Sequence, residues 1–286
     1  MMKRKKRIIV GTIALLFVLS ILWILWGNTA LELNSYTIPS DRLPDSFNGF
    51  YIAQVSDLHN AEMGKDHEKL ISMLKESAPD IIVITGDMVD SRNTKIDVAL
   101  SFAEQAVKIA PCYYVTGNHE ARVDEFGDLK DGLLELGVIV LEDARVEIEM
   151  SGETITLIGV DDPSFQTDYL FGDEKTVMKS KLDELTREDD GYTVLLSHRP
   201  ELFDVYVENG VDLVFSGHAH GGQFRLPFFG GVAAPNQGLF PQYDAGIFSE
   251  GNTDMVVSRG VGNSIIPFRV NNRPEVIIIE LTTQGE

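Results

Sequence analysis

The sequence of 286 residues contains a single cysteine, Cys112, so no disulfide bond can form within the chain. Cys112 stands in the apolar stretch 112–116, which predicts burial as a small hydrophobic residue rather than a catalytic role. Internal repeats and low-complexity segments are also missing. The length of the chain allows one large α/β domain or two small ones, and hydrophobic residues make up 44% of it, which suffices for a sizeable core.

Basic residues are scarce, with 24 against 44 acidic residues and a net charge of −20. Five of the basic residues form one cluster at residues 3–7, which leaves 19 against 44 in the rest of the chain. Such a surface repels nucleic acid and anionic lipid headgroups and attracts divalent cations. We therefore expect no nucleic-acid partner, and the basic groove expected of a nuclease is not found.

Residues 8–26 carry no charge and have about the length of a helix that crosses a bilayer. The basic cluster precedes this stretch, and Trp23 and Trp26 stand at its far end, where interfacial aromatic residues are expected. We predict a cytoplasmic tail at 1–7, a single transmembrane anchor at 8–26 in the cell membrane and the rest of the chain outside the cytoplasm. The alternative is a cleaved signal peptide, but its apolar region is usually shorter and residues 28–30 make a poor cleavage site. A twin-arginine pair is missing.

Residues 27–48 are polar and contain Pro39 and Pro44, which predicts a linker that leads into the fold. From residue 49 to 286, short apolar runs alternate with amphipathic segments, as expected for one layered α/β domain. Strands are predicted at 51–56, 81–85, 112–116, 145–150, 154–160, 192–197 and 211–216, with at least two more near the C-terminus. Helices are predicted at 66–77, 96–109, 126–136, 174–188 and 201–208.

Five predicted strands end in Ser or Thr, and a polar motif follows each of them at once. These motifs are DLH at 57–59, GD at 86–87, GNHE at 117–120, HR at 198–199 and GHAH at 217–220. In open α/β sheets, sites form beyond the carboxyl ends of the strands, so we expect the five motifs to meet in one crevice.

Five of the six histidines fall in these motifs, and only His67 does not. We expect His67 to be exposed at a helix start.

The motifs collect two carboxylates, one amide and four imidazoles, a set that suits Mn, Fe or Zn. Seven such groups are too many for one tetrahedral zinc ion but suit two metal ions with one carboxylate between them. In 57–59 and 218–220, the spacing of two residues places both side chains on one side of an extended segment. The glycines around His218 and His220 permit sharp backbone turns and keep bulk away from the ions.

The order of these motifs resembles the calcineurin-like metallophosphoesterase superfamily, whose pattern is D-x-H, G-D, G-N-H-[DE], H and G-H-x-H. The similarity runs from about residue 47 to 281. The longer stretches GHAHGGQ and SRGVGNS resemble its bacterial membrane-associated or exported branch, and also enzymes that cleave sugar-nucleotide pyrophosphates in lipid A synthesis.

The resemblance implies a fold and a role for each matching position. The fold would be α/β, with two mixed β-sheets packed in a sandwich and helices on both outer faces. Asp57, His59 and His220 would hold a first metal ion, Asn118, His198 and His218 a second, and Asp87 would bridge them. His119 would protonate the leaving oxygen, and Glu120 would orient His119. Three residues flank these positions and would either contact the substrate or have a structural role: Asn60, Arg199 and Gln223.

The implied activity is hydrolysis of a phosphodiester or pyrophosphate bond, by a hydroxide that two divalent ions generate from water. Mn is the favoured metal. Candidate substrates are a phospholipid, a lipid-linked sugar or a nucleotide-like molecule. The alternatives are a phosphomonoesterase and a non-enzymatic metal-binding scaffold.

Two further expectations concern the surface. Residues 122–131 and 163–172 are candidate loops on the substrate side. Five phenylalanines could form an apolar surface for acyl chains, but we expect core packing for each: Phe228, Phe229, Phe240, Phe248 and Phe268.

Overall fold

The computed structural model of the chain describes residues 2–166, 173–187, 191–263 and 266–283. In these ranges a first mixed sheet has the spatial order β1 (Glu32–Pro39), β16 (Glu275–Thr282), β2 (Phe50–Val55), β3 (Ile81–Thr85), β4 (Cys112–Val115) and β5 (Ile139–Val140). Neighbouring strands are parallel except for β16 and β2, which are antiparallel. The segment predicted as a linker therefore contributes β1, an edge strand of the domain.

A second mixed sheet has the order β14 (Gly246–Glu250), β15 (Thr253–Val257), β9 (Leu213–Ser216), β8 (Thr193–Leu196), β7 (Glu153–Gly159) and β6 (Ala144–Met150). Its two outer pairs are antiparallel and its inner pairs are parallel. The prediction of two mixed sheets is confirmed. Between β9 and β14 the chain forms two short hairpins, β10 (Arg225–Leu226) with β11 (Gly230–Gly231) and β12 (Ala233–Ala234) with β13 (Gly238–Leu239).

Side-chain alternation along the strands builds the layers. In β2, Ile52 packs between the sheets whereas its neighbour Ala53 faces the outer helices. The outer face of the first sheet is covered by α2 (Glu68–Ser77), α3 (Ile96–Ala106) and α4 (Phe126–Glu135). The outer face of the second sheet is covered by α5 (Glu174–Leu185) and α6 (Phe203–Glu208). The predicted sandwich with flanking helices is confirmed.

Gln54 of β2 is fully buried and ties the two sheets together. Its Nε2 donates to Thr85 Oγ1 at 3.0 Å in the first sheet and to the Ser216 carbonyl at 2.9 Å in the second. Thr85 and Ser216 are the last residues of their strands, so this link fixes the distance between the carboxyl ends of β3 and β9.

The N-terminal apolar segment forms one helix, α1 (Met2–Thr29). It is long and apolar enough to cross a membrane, and its spanning window has no part buried against the protein. Its last turns contact the domain. Trp23 Nε1 donates to Asn271 Oδ1 at 3.1 Å, and the side chain of Asn28 exchanges hydrogen bonds with the backbone of Arg269. An N-terminal apolar helix of this kind points to membrane association.

Cys112 is buried, as predicted, but the prediction for His67 is wrong. Helix α2 begins at Glu68, and both Asp66 and His67 have left-handed backbone angles that turn the His67 ring inward. The ring packs on Phe102, and its Nε2 lies 3.1 Å from the Val98 carbonyl. The ring thus joins α2 to α3.

The prediction of core packing is also wrong for four of the five phenylalanines, since Phe228, Phe229, Phe240 and Phe268 are exposed. Phe248 is half-buried and contacts Tyr243. Of the two candidate substrate loops, 122–131 is largely α4 and the short helical turn Glu120–Arg122. In the other, residues 167–172 lie outside the described residues, as does Glu188 of the predicted helix 174–188.

Candidate metal centre

The five polar motifs meet at one end of the sandwich. Three follow β2, β3 and β4 of the first sheet, and two follow β8 and β9 of the second. Backbone hydrogen bonds tie the motifs together: Asp57 N donates to the Gly86 carbonyl at 3.1 Å, and Gly217 N donates to the His198 carbonyl at 3.2 Å. The crevice therefore lies between two sheets, with strand ends from both.

The backbone leaves the strands in an unusual conformation. Positive φ angles, uncommon for residues other than glycine, occur at five of the seven predicted ligands: Asp57 (51°), His59 (44°), Asp87 (53°), His218 (65°) and His220 (49°). The expectation that the i, i+2 pairs lie in extended segments is therefore wrong. Each segment instead turns sharply, and residues held in such conformations concentrate at functional sites.

A first cluster contains Asp57, His59, Asp87 and His220, whose donor atoms all lie within 4.8 Å of one another. The Nε2 atoms of His59 and His220 face each other at 3.1 Å. Asp57 Oδ1 lies 3.2 Å from His220 Nε2, and its other oxygen accepts a hydrogen bond from Ser56 Oγ. Two ring nitrogens and a carboxylate oxygen thus converge on one point.

A second cluster contains Asp87, His198 and His218, and it shares Asp87 with the first. Asp87 Oδ2 lies 3.5 Å from His59 Nε2 and 3.3 Å from His198 Nε2, while Oδ1 accepts a hydrogen bond from the His119 backbone at 2.8 Å. A single carboxylate oxygen therefore faces both clusters. His218 and His220 belong to different clusters although one residue separates them.

The charges of the site favour a bound cation. Burial opposes ionisation of Asp57 and Asp87, but the surrounding imidazoles outweigh it and hold the pKa of each carboxyl below its usual value. Burial also opposes the charged form of His198, yet Asp87 raises the pKa of that ring to about 10. Burial lowers the pKa of His220 to about 3. Two ionised carboxylates are thus buried together with several imidazoles, a donor set that suits divalent cations.

The donor atoms fit divalent metal ions. Asn118 Oδ1 is buried without a hydrogen-bond partner. His198 Nδ1 lies 2.7 Å from the Thr85 carbonyl, to which it donates, so Nε2 is the ring atom that faces Asp87. Imidazole nitrogens that face each other at 3.1–3.2 Å are stabilised when a positive charge lies close to both. The donor set of these residues therefore fits a divalent-metal site.

His119 lies beside the first cluster, with its ring 4.5 Å from that of His59. The Ser91 backbone N–H donates to His119 Nδ1 at 3.0 Å, which leaves Nε2 as the ring atom that carries the proton. Burial lowers the pKa of His119 below its usual value. Asp90 Oδ1 stands 3.7 Å from Nδ1.

The expectation that Glu120 orients His119 does not agree with its hydrogen bonds. The carboxylate accepts from the backbone N–H groups of Asp87 (2.9 Å), Gly117 (2.7 Å) and Val89 (3.3 Å). Burial and the charge of Asp87 raise the pKa of Glu120 to about 7. Glu120 therefore holds the loops after β3 and β4 together, and Ser91 positions His119. No sequence motif marks Ser91, because its contact depends on how the loop after β3 folds.

The three flanking residues make structural contacts. Asn60 donates to the Asn93 carbonyl, and Gln223 donates to the carbonyls of Ile266 and Phe268. Arg199 is buried and pairs with both oxygens of Asp162.

Arg269, which the sequence analysis did not single out, is also buried. It donates to the carbonyls of Arg259 and Gly262 and lies 3.5 Å from His220 Nδ1. Its position could not be inferred from the sequence, because it lies 49 residues from His220.

We predict that Gly86→Ala disturbs the site more than a matched glycine substitution elsewhere. Gly86 (φ 85°) and Gly152 (φ 87°) share the left-handed conformation, which costs an L-residue about 1–2 kcal/mol. A Cβ at Gly86 would also lie 2.7 Å from Gly117 Cα and 2.8 Å from His198 Nδ1, whereas a Cβ at Gly152 meets nothing within 4 Å. Gly86→Ala should therefore lose a further 1–3 kcal/mol, roughly, of unfolding free energy. It should also weaken Mn²⁺ binding about 10- to 100-fold.

Urea unfolding and calorimetric Mn²⁺ titration of the detergent-solubilised full chain measure both effects. Equal losses for Gly86→Ala and Gly152→Ala would contradict the close packing described for the site.

Comparison with known proteins agrees with this geometry. The family model for calcineurin-like phosphoesterases matches residues 50–222. The uncharacterized metallophosphoesterase YkuE of Bacillus subtilis (strain 168) is 30% identical over 259 residues, covering 88% of this chain and 85% of that protein. Phosphodiesterase YaeI of Escherichia coli (strain K12) is 28% identical over 214 residues, covering 72% of each chain.

Among solved structures, TT1561 of Thermus thermophilus has the same fold. It superposes with a TM-score of 0.51 at 14% identity, covering 75% of this chain and 91% of that one. From the family match and the relative at 30% identity, the chain belongs to the calcineurin-like phosphoesterase family and is a metal-dependent phosphoesterase.

Proposed function

We propose that the chain hydrolyses a phosphodiester or pyrophosphate bond with two divalent metal ions, of which Mn²⁺ is favoured. The observation that carries the proposal is the position of Asp87 Oδ2, within 3.5 Å of donor atoms from both clusters. A carboxylate oxygen between two sets of ligands suits the close pair of metal ions that many phosphoester hydrolases use.

Each proposed ligand set draws on both sheets. Asp57, His59 and His220 would hold one ion, and Asn118, His198 and His218 the other, with Asp87 common to both. When bound, the ions supply the positive charge that activates a water molecule and stabilises the phosphoryl oxygens. The chain's own contribution is to hold the ligand atoms in place through the buried strand ends.

His119 is the proposed proton donor to the leaving oxygen. Ser91 N–H occupies Nδ1, so Nε2 is the ring atom through which a proton would pass to the leaving oxygen, and the ring adjoins the first cluster. A positioned imidazole contributes typically about 10²–10⁴-fold to rate when the leaving group needs a proton. His119 therefore matters most for substrates whose leaving oxygen is strongly basic.

Two observations favour a diester or pyrophosphate over a monoester. The relative YaeI is named a phosphodiesterase. The last turns of α1 contact the segment that contains Arg269, and Arg269 lies beside His220, so the site is held close to the end of the anchor helix. A phospholipid or lipid-linked sugar is the substrate class that this proximity favours.

We predict Mn²⁺-dependent cleavage of bis-p-nitrophenyl phosphate in preference to p-nitrophenyl phosphate by the detergent-solubilised full chain. Chelator should abolish the activity, and Asp87→Asn should remove it because both ligand sets lose their common carboxylate and its negative charge. His119→Ala should slow cleavage of a dialkyl phosphodiester, whose leaving group is an alkoxide, by about 10²-fold. The loss should be smaller for p-nitrophenolate, which leaves without a proton.

Steady-state rates with and without Mn²⁺ provide the measurement. Faster cleavage of the monoester would identify a phosphomonoesterase instead. A folded, metal-loaded protein that is inactive on both compounds, and on a panel of phospholipids and sugar nucleotides, would favour the scaffold alternative.

We further propose that the N-terminus lies in the cytoplasm and the domain outside it, because residues 3–7 are all basic. The chain has one cysteine, which is buried, so a cysteine placed at exposed Leu134 in α4 would be labelled selectively. A membrane-impermeant maleimide should label Leu134→Cys in intact spheroplasts. Labelling that requires lysis would contradict this orientation.

A further inference from the structure

The stretch that follows the GHAHGG motif is apolar and exposed. Residues 226–243 contain no charged side chain, in a chain in which charged residues make up 24%. Seven large hydrophobic side chains in this stretch and in a second segment near residue 267 have relative exposures between 36% and 103%. We call these residues the apolar rim: Leu226, Phe228, Phe229, Leu239, Phe240, Ile266 and Phe268.

The two segments of the apolar rim form one surface. The rings of Phe224 and Phe268 lie 5.5 Å apart. Gln223 Nε2 donates to the carbonyls of Ile266 (3.0 Å) and Phe268 (2.7 Å), and Arg225 N donates to the Val270 carbonyl at 3.0 Å. These bonds hold residues that are about 40 positions apart in sequence side by side.

The apolar rim borders the metal centre. Gly222, two residues after His220, packs on Gly231, where a Cβ would lie 2.8 Å from the Gly222 Cα. Val232 N donates to the carbonyls of Gly222 (3.2 Å) and Phe224 (2.8 Å), and Phe240 N donates back to Val232. The hairpins that carry the rim are therefore anchored on the loop that supplies His218 and His220.

The contacts with the anchor helix determine where the apolar rim lies relative to the membrane. Trp23 donates to Asn271, and Asn28 is bonded to Arg269, the residue after Phe268. A helix rises 1.5 Å per residue, so Trp23 lies roughly 9 Å along α1 from its end at Thr29. Tryptophan at the end of a membrane span occupies the headgroup region. Asn271, and with it Phe268, is then held at that depth.

Exposure of this kind is costly in water but not in lipid. Burying an exposed phenylalanine side chain is favourable, and contiguous exposed apolar patches mark interaction sites. The acidic surface of the domain repels anionic headgroups, whereas the apolar rim carries no acid that would do so. Apolar groups with no charge among them, beside a membrane helix, match a bilayer better than a charged soluble partner.

We infer that the apolar rim inserts into the leaflet at which α1 ends, so that the domain docks on a phospholipid bilayer with the metal centre next to the headgroups. The inference rests on the proposed anchorage by α1. The crevice would then face phosphoesters that reside in the membrane.

Environment-sensitive fluorophores on single introduced cysteines test the docking. Native Cys112 is fully buried, and burial raises the pKa of its thiol to about 12, so it does not compete for maleimide. Phe229→Cys reports the apolar rim, Leu134→Cys in α4 is the matched exposed control, and Leu22→Cys in α1 reports the anchor. Each labelled full-length protein is reconstituted in vesicles of phosphatidylcholine and phosphatidylglycerol, with or without nitroxide on the acyl chains.

We expect blue-shifted emission and strong nitroxide quenching at positions 22 and 229, and water-like, unquenched emission at 134. Water-like emission at 229 with quenching at 22 would overturn the docking while leaving the anchor intact. Blue-shifted emission at 229 that lipid nitroxide does not quench would overturn the docking on lipid. It would indicate that a second copy of the chain or another protein covers the apolar rim. No quenching at 22 would overturn the anchorage and the docking with it. Activity on bis-p-nitrophenyl phosphate reports the proposed function independently of all these outcomes.

Discussion

The carboxylate of Asp87 is the group on which the whole site depends. Its Oδ2 faces His59 on one side and His198 on the other, and its Oδ1 accepts the backbone N–H of His119. One acid thus contacts motifs from β2, β4 and β8, strands that belong to two different sheets. This is possible only if the sheets meet with their carboxyl ends level, which the buried link from Gln54 to Thr85 and Ser216 maintains. The packing of the two sheets therefore determines the geometry of the site, because a shift of either sheet would separate the proposed ligands.

The strained backbone at the strand ends is a consequence of that constraint. The proposed ligands approach a common point from strands of both sheets and cannot continue along their strand directions, so the chain turns through left-handed conformations at Asp57, Asp87 and His218. Such conformations persist only where the surrounding structure over-determines them. Here the flanking strands are buried and Glu120 binds three backbone N–H groups from adjacent loops. The same rigidity preorganises the ligand atoms, which is how a scaffold limits the reorganisation that catalysis would otherwise need.

Much of this could be predicted from the sequence because its signals are local. Apolar runs that end in Ser or Thr before a polar motif locate the strand ends, and the order of the motifs identifies the family. What could not be predicted depends on contacts between distant segments. His67 is buried because a left-handed turn directs it towards Phe102, and Glu120 binds backbone rather than His119 because two loops fold against each other. The exposure of Phe228 could not be predicted either, because the residue type alone favours burial of phenylalanine.

The most direct test is the number and coupling of metal ions in the full-length protein loaded with Mn²⁺ in detergent. Elemental analysis combined with electron paramagnetic resonance measures both. The account predicts two ions per chain with a spin-coupled spectrum, and loss of the coupling in Asp87→Asn. One ion per chain, or two uncoupled ions in the wild type, would contradict the assignment of Asp87 as the ligand common to both.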